Sequence, residues 1–126
     1  MGNGKAVIDA CLHASEKDWL RSLSNVLHLL KYADTEELLP MFSEIDTDYY
    51  VEKSELTRLA ILATSVEYWY NRRKLYDHLP DWIISEKTYL GEPYVQESAR
   101  DGILFFCTQE CLNHNVIVEE TFFDVL

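Results

Sequence analysis

The sequence predicts an all-α fold: a compact bundle of four to five helices with little or no sheet, in one domain spanning residues 1–126. Apolar residues recur at three- and four-residue spacing, which is the period of one helix face. Only four Gly and three Pro occur while 48% of residues are hydrophobic, which favours a packed core over a loop-dominated chain. No apolar run approaches the about 20 residues that cross a bilayer.

Two helices are predicted in the first third of the chain. Residues 5–14 place apolar side chains at helical spacing, and Ser15 with Asp18 resembles a capping box. A second or re-phased helix then covers residues 16–32. Its apolar stripe consists of Trp19, Leu23, Val26, Leu27 and Leu30.

The middle third holds the strongest helix pattern. An acidic segment over residues 36–45 is interrupted or kinked by Pro40, and residues 46–53 are expected to form a loop. Ser54 is the predicted N-cap of a helix from Glu55 to about Asp77. Its apolar face is wide, so we expect it at the centre of the bundle. That face contains Leu56, Leu59, Ala60, Ala63, Val66 and Tyr70.

An irregular segment, residues 79–97, separates this helix from the last one. Gly91 and Pro93 break regular structure there. Ser98 is expected to cap a helix over residues 99–112, with Asn113 and Asn115 as stops. Residues 116–118 favour an extended turn, and residues 119–126 one last helical turn.

Acidic residues outnumber basic ones by 22 to 11, which gives a net charge of -11. Such a field repels nucleic acids and anionic membranes, so neither is predicted as a partner. The eight carboxylates and one Lys between Asp34 and Glu55 favour a basic partner surface. The three cysteines are few and odd in number, whereas a secreted disulfide framework would have more of them in an even number. This composition favours a cytoplasmic protein.

The candidate metal ligands are Cys107, Cys111 and His114, whose offsets of four and seven place them along one helix face. Their flanking residues are hydrophobic, and the sequence favours buried core cysteines instead. The acidic run from Asp46 fails the calcium-loop pattern, because Val51 and Thr57 stand at the sixth and twelfth positions. We therefore predict no metal and no cofactor.

The one basic cluster runs from Arg72 to His78. Arg73 and His78 resemble the ribonuclease motif of the HEPN family, compact helical domains in which an Arg orients phosphate and a His serves in RNA cleavage. Family members favour a small polar residue after the Arg, where this chain has Lys74. The alternative, favoured by the sequence, is that cations gather at a helix C-terminus because the macrodipole stabilises them there.

Aromatic residues concentrate in the middle of the chain. Residues 68–70 are three consecutive aromatics that span about 200° of a helix, so they cannot all face one narrow seam. Exposed Tyr and Trp are typical of binding hot spots. The alternative, which the sequence favours, is that residues 79–82 fold back and cover them. The predicted partner-binding residues are Tyr49, Tyr50, Tyr68, Trp69, Trp82, Asp46 and Asp48.

Three short stretches over the last 48 residues, at 79–82, 90–94 and 115–119, resemble the closing third of small uncharacterised bacterial proteins. The resemblance implies no activity. The sequence thus predicts an acidic helical interaction module, not an enzyme, that acts as an inhibitor or antitoxin-like binder of a basic partner or as a homodimer. The alternative is a HEPN-like ribonuclease using Arg73 and His78.

Overall fold

The computed structural model describes residues 3–43, 45–50, 52–96, 108–118 and 120–124. Within these residues the fold is mostly helical with one two-stranded sheet, so the predicted all-α class is confirmed. None of the described helices is long and apolar enough to cross a membrane. The α-helices are α1 (Asn3–Leu12), α2 (Trp19–Tyr32), α3 (Thr35–Phe42), α4 (Lys53–Arg72) and α5 (Gln109–His114). Short 3-10 helices cover Thr47–Tyr49, Tyr76–His78, Asp81–Ile84, Glu86–Thr88 and Glu120–Phe123.

Helix α4 occupies the centre, as its wide apolar face predicts. It packs against α1, α2, α5 and the 3-10 turns of the 76–88 segment. Its middle is buried from Leu59 to Glu67, including the polar residues Thr64 and Ser65. Their hydroxyls donate back to the carbonyls of Ala60 and Ile61, which removes the cost of burying them.

The bounds of α4 differ from the prediction at both ends. Glu52, not Ser54, is the N-cap, because Glu52 and Glu55 form a reciprocal capping box. The helix ends at Arg72, before the predicted Asp77, because Lys74 adopts a left-handed conformation with φ 61°. The amide of Leu75 then donates to the Tyr70 carbonyl at 2.7 Å, which closes a Schellman motif.

Pro40 lies inside α3 without ending it. The irregular 79–97 segment carries 3-10 turns and strand β1 (Tyr94–Val95), which pairs in parallel with β2 (Val116–Ile117). Helix α5 begins after Thr108, whose hydroxyl caps it, so no continuous helix passes through Thr108 as predicted. The predicted cap Ser98 lies outside the described residues. Asn115 ends α5 in a left-handed conformation, as expected for a stop.

Candidate functional site

Two arginines, Arg58 within α4 and Arg73 directly after it, stabilise the C-termini of neighbouring helices. The Arg73 guanidinium donates to the carbonyls of Leu30 at 2.9 Å and Ala33 at 2.7 Å, where α2 ends. Arg58 donates in the same way to Leu12 and Ala14, where α1 ends. Carbonyls at a helix C-terminus have no intrahelical donor and carry partial negative charge, so a half-buried arginine supplies both a donor and a positive charge.

The predicted nuclease pair is therefore separated by role. The Arg73 guanidinium donates to backbone carbonyls, whereas His78 is exposed at the end of a 3-10 turn. The neighbouring Arg72 lies over the Tyr68 ring at 3.7 Å and reaches Glu110 at 3.3 Å. Arg72 lies in the last turn of α4 and Arg73 caps the end of α2, so both arginines bond to protein groups in the structure.

The predicted partner-binding aromatics are mostly inside the protein. Tyr50 and Trp82 are 1% and 6% exposed, so neither can contact a partner in this conformation. The Tyr50 hydroxyl donates to Asp9, and the Trp82 indole donates to the Phe42 carbonyl at 2.7 Å. The Trp82 indole thus holds the 79–82 segment against the end of α3, whereas the sequence favoured this segment as the cover of residues 68–70.

The C-terminal turn covers the remaining aromatics. Tyr68 and Trp69 are half-buried, and both contact Phe123: the Tyr68 ring stacks on it at 4.5 Å and the Trp69 indole donates to its carbonyl. Asp46 and Asp48 are exposed, but Asp48 pairs with Lys87 at 3.2 Å. The side chain of Tyr49 lies outside the described part of the structure.

The predicted metal set is described only in part, since Cys107 lies outside the described residues. Cys111 is a buried thiol whose pKa is raised by desolvation, and burial raises the pKa of Cys11 to about 12. Both ring nitrogens of His114 are engaged with protein atoms. Within the described ranges no three His, Cys, Asp or Glu side chains converge as metal ligands.

A surface groove of about 470 Å³ lies between α4, α5 and the 3-10 turns of residues 81–88. Its walls combine apolar side chains with carboxylates, and we call it the Glu67 groove. The residues that define it are Glu67, Ile84, Glu86, Tyr89, Asn113 and His114. Ile84 is 77% exposed and Tyr89 is 54% exposed.

A buried polar cluster forms one wall of the Glu67 groove. His114 Nδ1 lies 2.8 Å from the Thr88 carbonyl, and His114 Nε2 lies 2.7 Å from Glu67 Oε1. A carbonyl only accepts, so Nδ1 carries a proton. Asn113 donates to the second Glu67 oxygen at 2.6 Å, so both oxygens of this side chain have hydrogen-bond partners.

The hydrogen bonds of this cluster suit it to joining secondary-structure elements and not to transferring protons. His114 could act as a base toward a ligand only by breaking its bond to Glu67 or to Thr88, because both ring nitrogens are committed. Together the two bonds tie α5 to α4 and to the 86–88 turn. The groove is therefore suited to binding, with a hydrogen-bonded polar wall and exposed apolar side chains at its rim.

Sequence reasoning missed every residue of the Glu67 groove except His114, which it considered as a metal ligand. One signal was available: Glu67 falls among the apolar positions of the strongest helix pattern, where an unpaired charge would be costly. Ile84 and Tyr89 carry no such signal, because exposure depends on how the irregular segment folds.

Comparison of the chain with protein-family models, curated proteins and solved structures finds no match.

Proposed function

We propose that this protein is a binding module for a basic segment of a partner protein, and that the segment docks at the Glu67 groove. The observation that carries the proposal is the exposure of Ile84 and Tyr89, at 77% and 54%, on the rim of a groove whose side walls carry carboxylates. Neighbouring large apolar side chains exposed around a concavity are typical of interaction sites.

Charge selects the kind of partner. The chain carries a net charge of -11, and Glu86 adds an exposed carboxylate at the groove itself. A second copy of the chain would bring the same negative field, whereas a basic segment would be attracted and oriented by it. A heterologous basic partner is therefore favoured over the homodimer.

The chemistry of the site supports binding in preference to catalysis. The titratable pair of the groove, Glu67 and His114, is fully hydrogen-bonded. The Arg73 guanidinium of the ribonuclease alternative is held by α2 carbonyls. The buried free thiols of Cys11 and Cys111 fit a reducing, cytoplasmic location.

A peptide-display selection tests the proposal. The wild-type protein is the bait, and the Ile84→Glu variant is used for counter-selection. We expect enriched peptides to carry Arg or Lys beside an apolar residue and to bind more weakly as salt concentration rises.

The matched control is Leu20→Glu, which places the same charge at another exposed leucine-sized side chain, on α2. It should retain binding. Enrichment of acidic peptides, or equal binding to wild-type and Ile84→Glu protein, would contradict the proposal. Cleavage of RNA by the purified protein, lost in His78→Ala, would instead support the ribonuclease alternative.

A further inference from the structure

Glu86 and Tyr89 form a ridge between two grooves. Both line the Glu67 groove, and both also line a neighbouring groove of about 450 Å³ that contains Lys53 and Lys87. Each is exposed, so both side chains are accessible to a ligand lying in either groove. They are three residues apart in sequence: Glu86 begins the turn at residues 86–88, and Tyr89 directly follows it.

The ridge has no cation among the described residues. The adjacent Lys87 turns away to Asp48 at 3.2 Å and to the Thr47 carbonyl at 3.4 Å. Lys53 lies 3.8 Å from Glu92. No described residue forms an ion pair with Glu86, and no described cation lies over the Tyr89 ring.

Elsewhere in the described residues a cation lies on a ring and a carboxylate together, a lysine in one case and an arginine in two. Arg72 lies 3.7 Å from the Tyr68 ring centroid and 3.3 Å from Glu110. A second arginine repeats the pattern, with its guanidinium 4.6 Å from an indole ring and 4.0 Å from a carboxylate. That second set consists of Arg58, Trp19 and Glu16.

We infer that a partner arginine docks on Glu86 and Tyr89, with its guanidinium over the ring and its aliphatic stem along Ile84. This inference rests on the proposed function and names the chemical group that the groove selects. A guanidinium stacks on an aromatic face and forms a forked bond to a carboxylate, whereas an ammonium does neither as well.

Titration with a minimal probe tests the inference. Nα-acetyl-arginine amide is added to ¹⁵N-labelled protein at constant ionic strength, and amide chemical shifts are followed. We expect millimolar binding with shifts concentrated at residues 84–89 and 113–114. Nα-acetyl-citrulline amide, which keeps the shape and lacks the charge, should shift these amides far less.

Glu86→Gln should weaken the binding of the arginine probe about threefold to tenfold, because it removes the charge and keeps the side-chain size. The matched control is Glu37→Gln, at an exposed glutamate on α3, which should leave binding unchanged. Equal shifts with citrulline, shifts confined to other surfaces, or no shifts up to about 50 mM probe would each overturn the inference.

Failure of this inference can be told apart from failure of the proposed function. Basic peptides obtained by display would be measured against the Glu86→Gln protein. Binding that depends on Ile84 but is unaffected by Glu86→Gln keeps the binding module and removes the arginine contact. Absence of any basic binder removes the proposed function itself.

Discussion

Replacing His114 by leucine should be among the most destabilising single changes in the chain. The substitution removes the bonds from His114 to Glu67 at 2.7 Å and to Thr88 at 2.8 Å. It leaves Glu67, whose side chain is 9% exposed, without the ring nitrogen to which it is hydrogen-bonded. Breaking one side of a buried pair costs about 3–5 kcal/mol. For a chain of this size that corresponds to a fall in Tm of about 12–20 °C.

The structure provides, as the control, a second pair of the same residue types that is more exposed. His13 lies 2.6 Å from Glu55, but its side chain is 48% exposed. His13→Leu should therefore cost less than about 1 kcal/mol. Urea unfolding followed by tryptophan fluorescence and far-UV circular dichroism measures both free energies of unfolding, provided that the two probes give coincident transitions.

The double variant Glu67→Leu/His114→Leu distinguishes the cost of leaving a buried polar group unpaired from the cost of lost packing. With both partners apolar, the remaining cost is that of the Thr88 carbonyl, about 1–3 kcal/mol, so the double variant should be more stable than either single variant. If the single changes cost no more than His13→Leu, or if their costs simply add, the assignment of Glu67 and His114 as a coupled buried pair is wrong.

Three further predictions concern α4. Arg73→Met keeps much of the side-chain volume and removes the donors to Leu30 and Ala33, so unfolding should become easier by about 1.5–3 kcal/mol in urea denaturation; a neutral result would refute the capping role. Lys74→Gly should raise the free energy of unfolding by about 0.5–1 kcal/mol, because a φ of 61° is less favourable for lysine than for glycine. Thermal unfolding measures this change, and a lower stability of the variant would contradict the prediction. The Tyr70 hydroxyl is buried with no hydrogen-bond partner among the described residues, and desolvation raises its pKa to about 12. The unfolded chain loses this proton near pH 10 and the folded chain near pH 12, so this contribution to stability is complete below about pH 10 and is lost as the pH rises toward 12. Tyr70→Phe should abolish that loss and cost nothing measurable at pH 7, as checked by melting curves at pH 7 and pH 11.

The helical class and the central position of α4 could be predicted from the sequence, because both depend on local periodicity. The apolar residues from Leu56 to Tyr70 define a face that any packing must bury. The end of α4 was misplaced, because Lys74 carries no sign of the left-handed conformation that a Gly or Asn would have signalled.

The candidate site was mostly invisible in the sequence, because its members are far apart along the chain. Glu67 and His114 are separated by 47 residues and meet only when α5 packs against α4. Trp82 is among the predicted partner-binding residues, but its indole donates to the Phe42 carbonyl, 40 residues away, in the core. Neither pairing follows from spacing or residue type.

The sequence by itself determined the helical architecture, the central helix and the negative charge of the protein, because periodicity and composition act locally or as sums over the chain. Only the tertiary structure decided that Arg73 caps α2, that Tyr50 and Trp82 are buried, and that Ile84 and Tyr89 remain exposed beside Glu86. These outcomes depend on which segments cover one another, and that is settled by long-range packing and by buried polar groups finding partners.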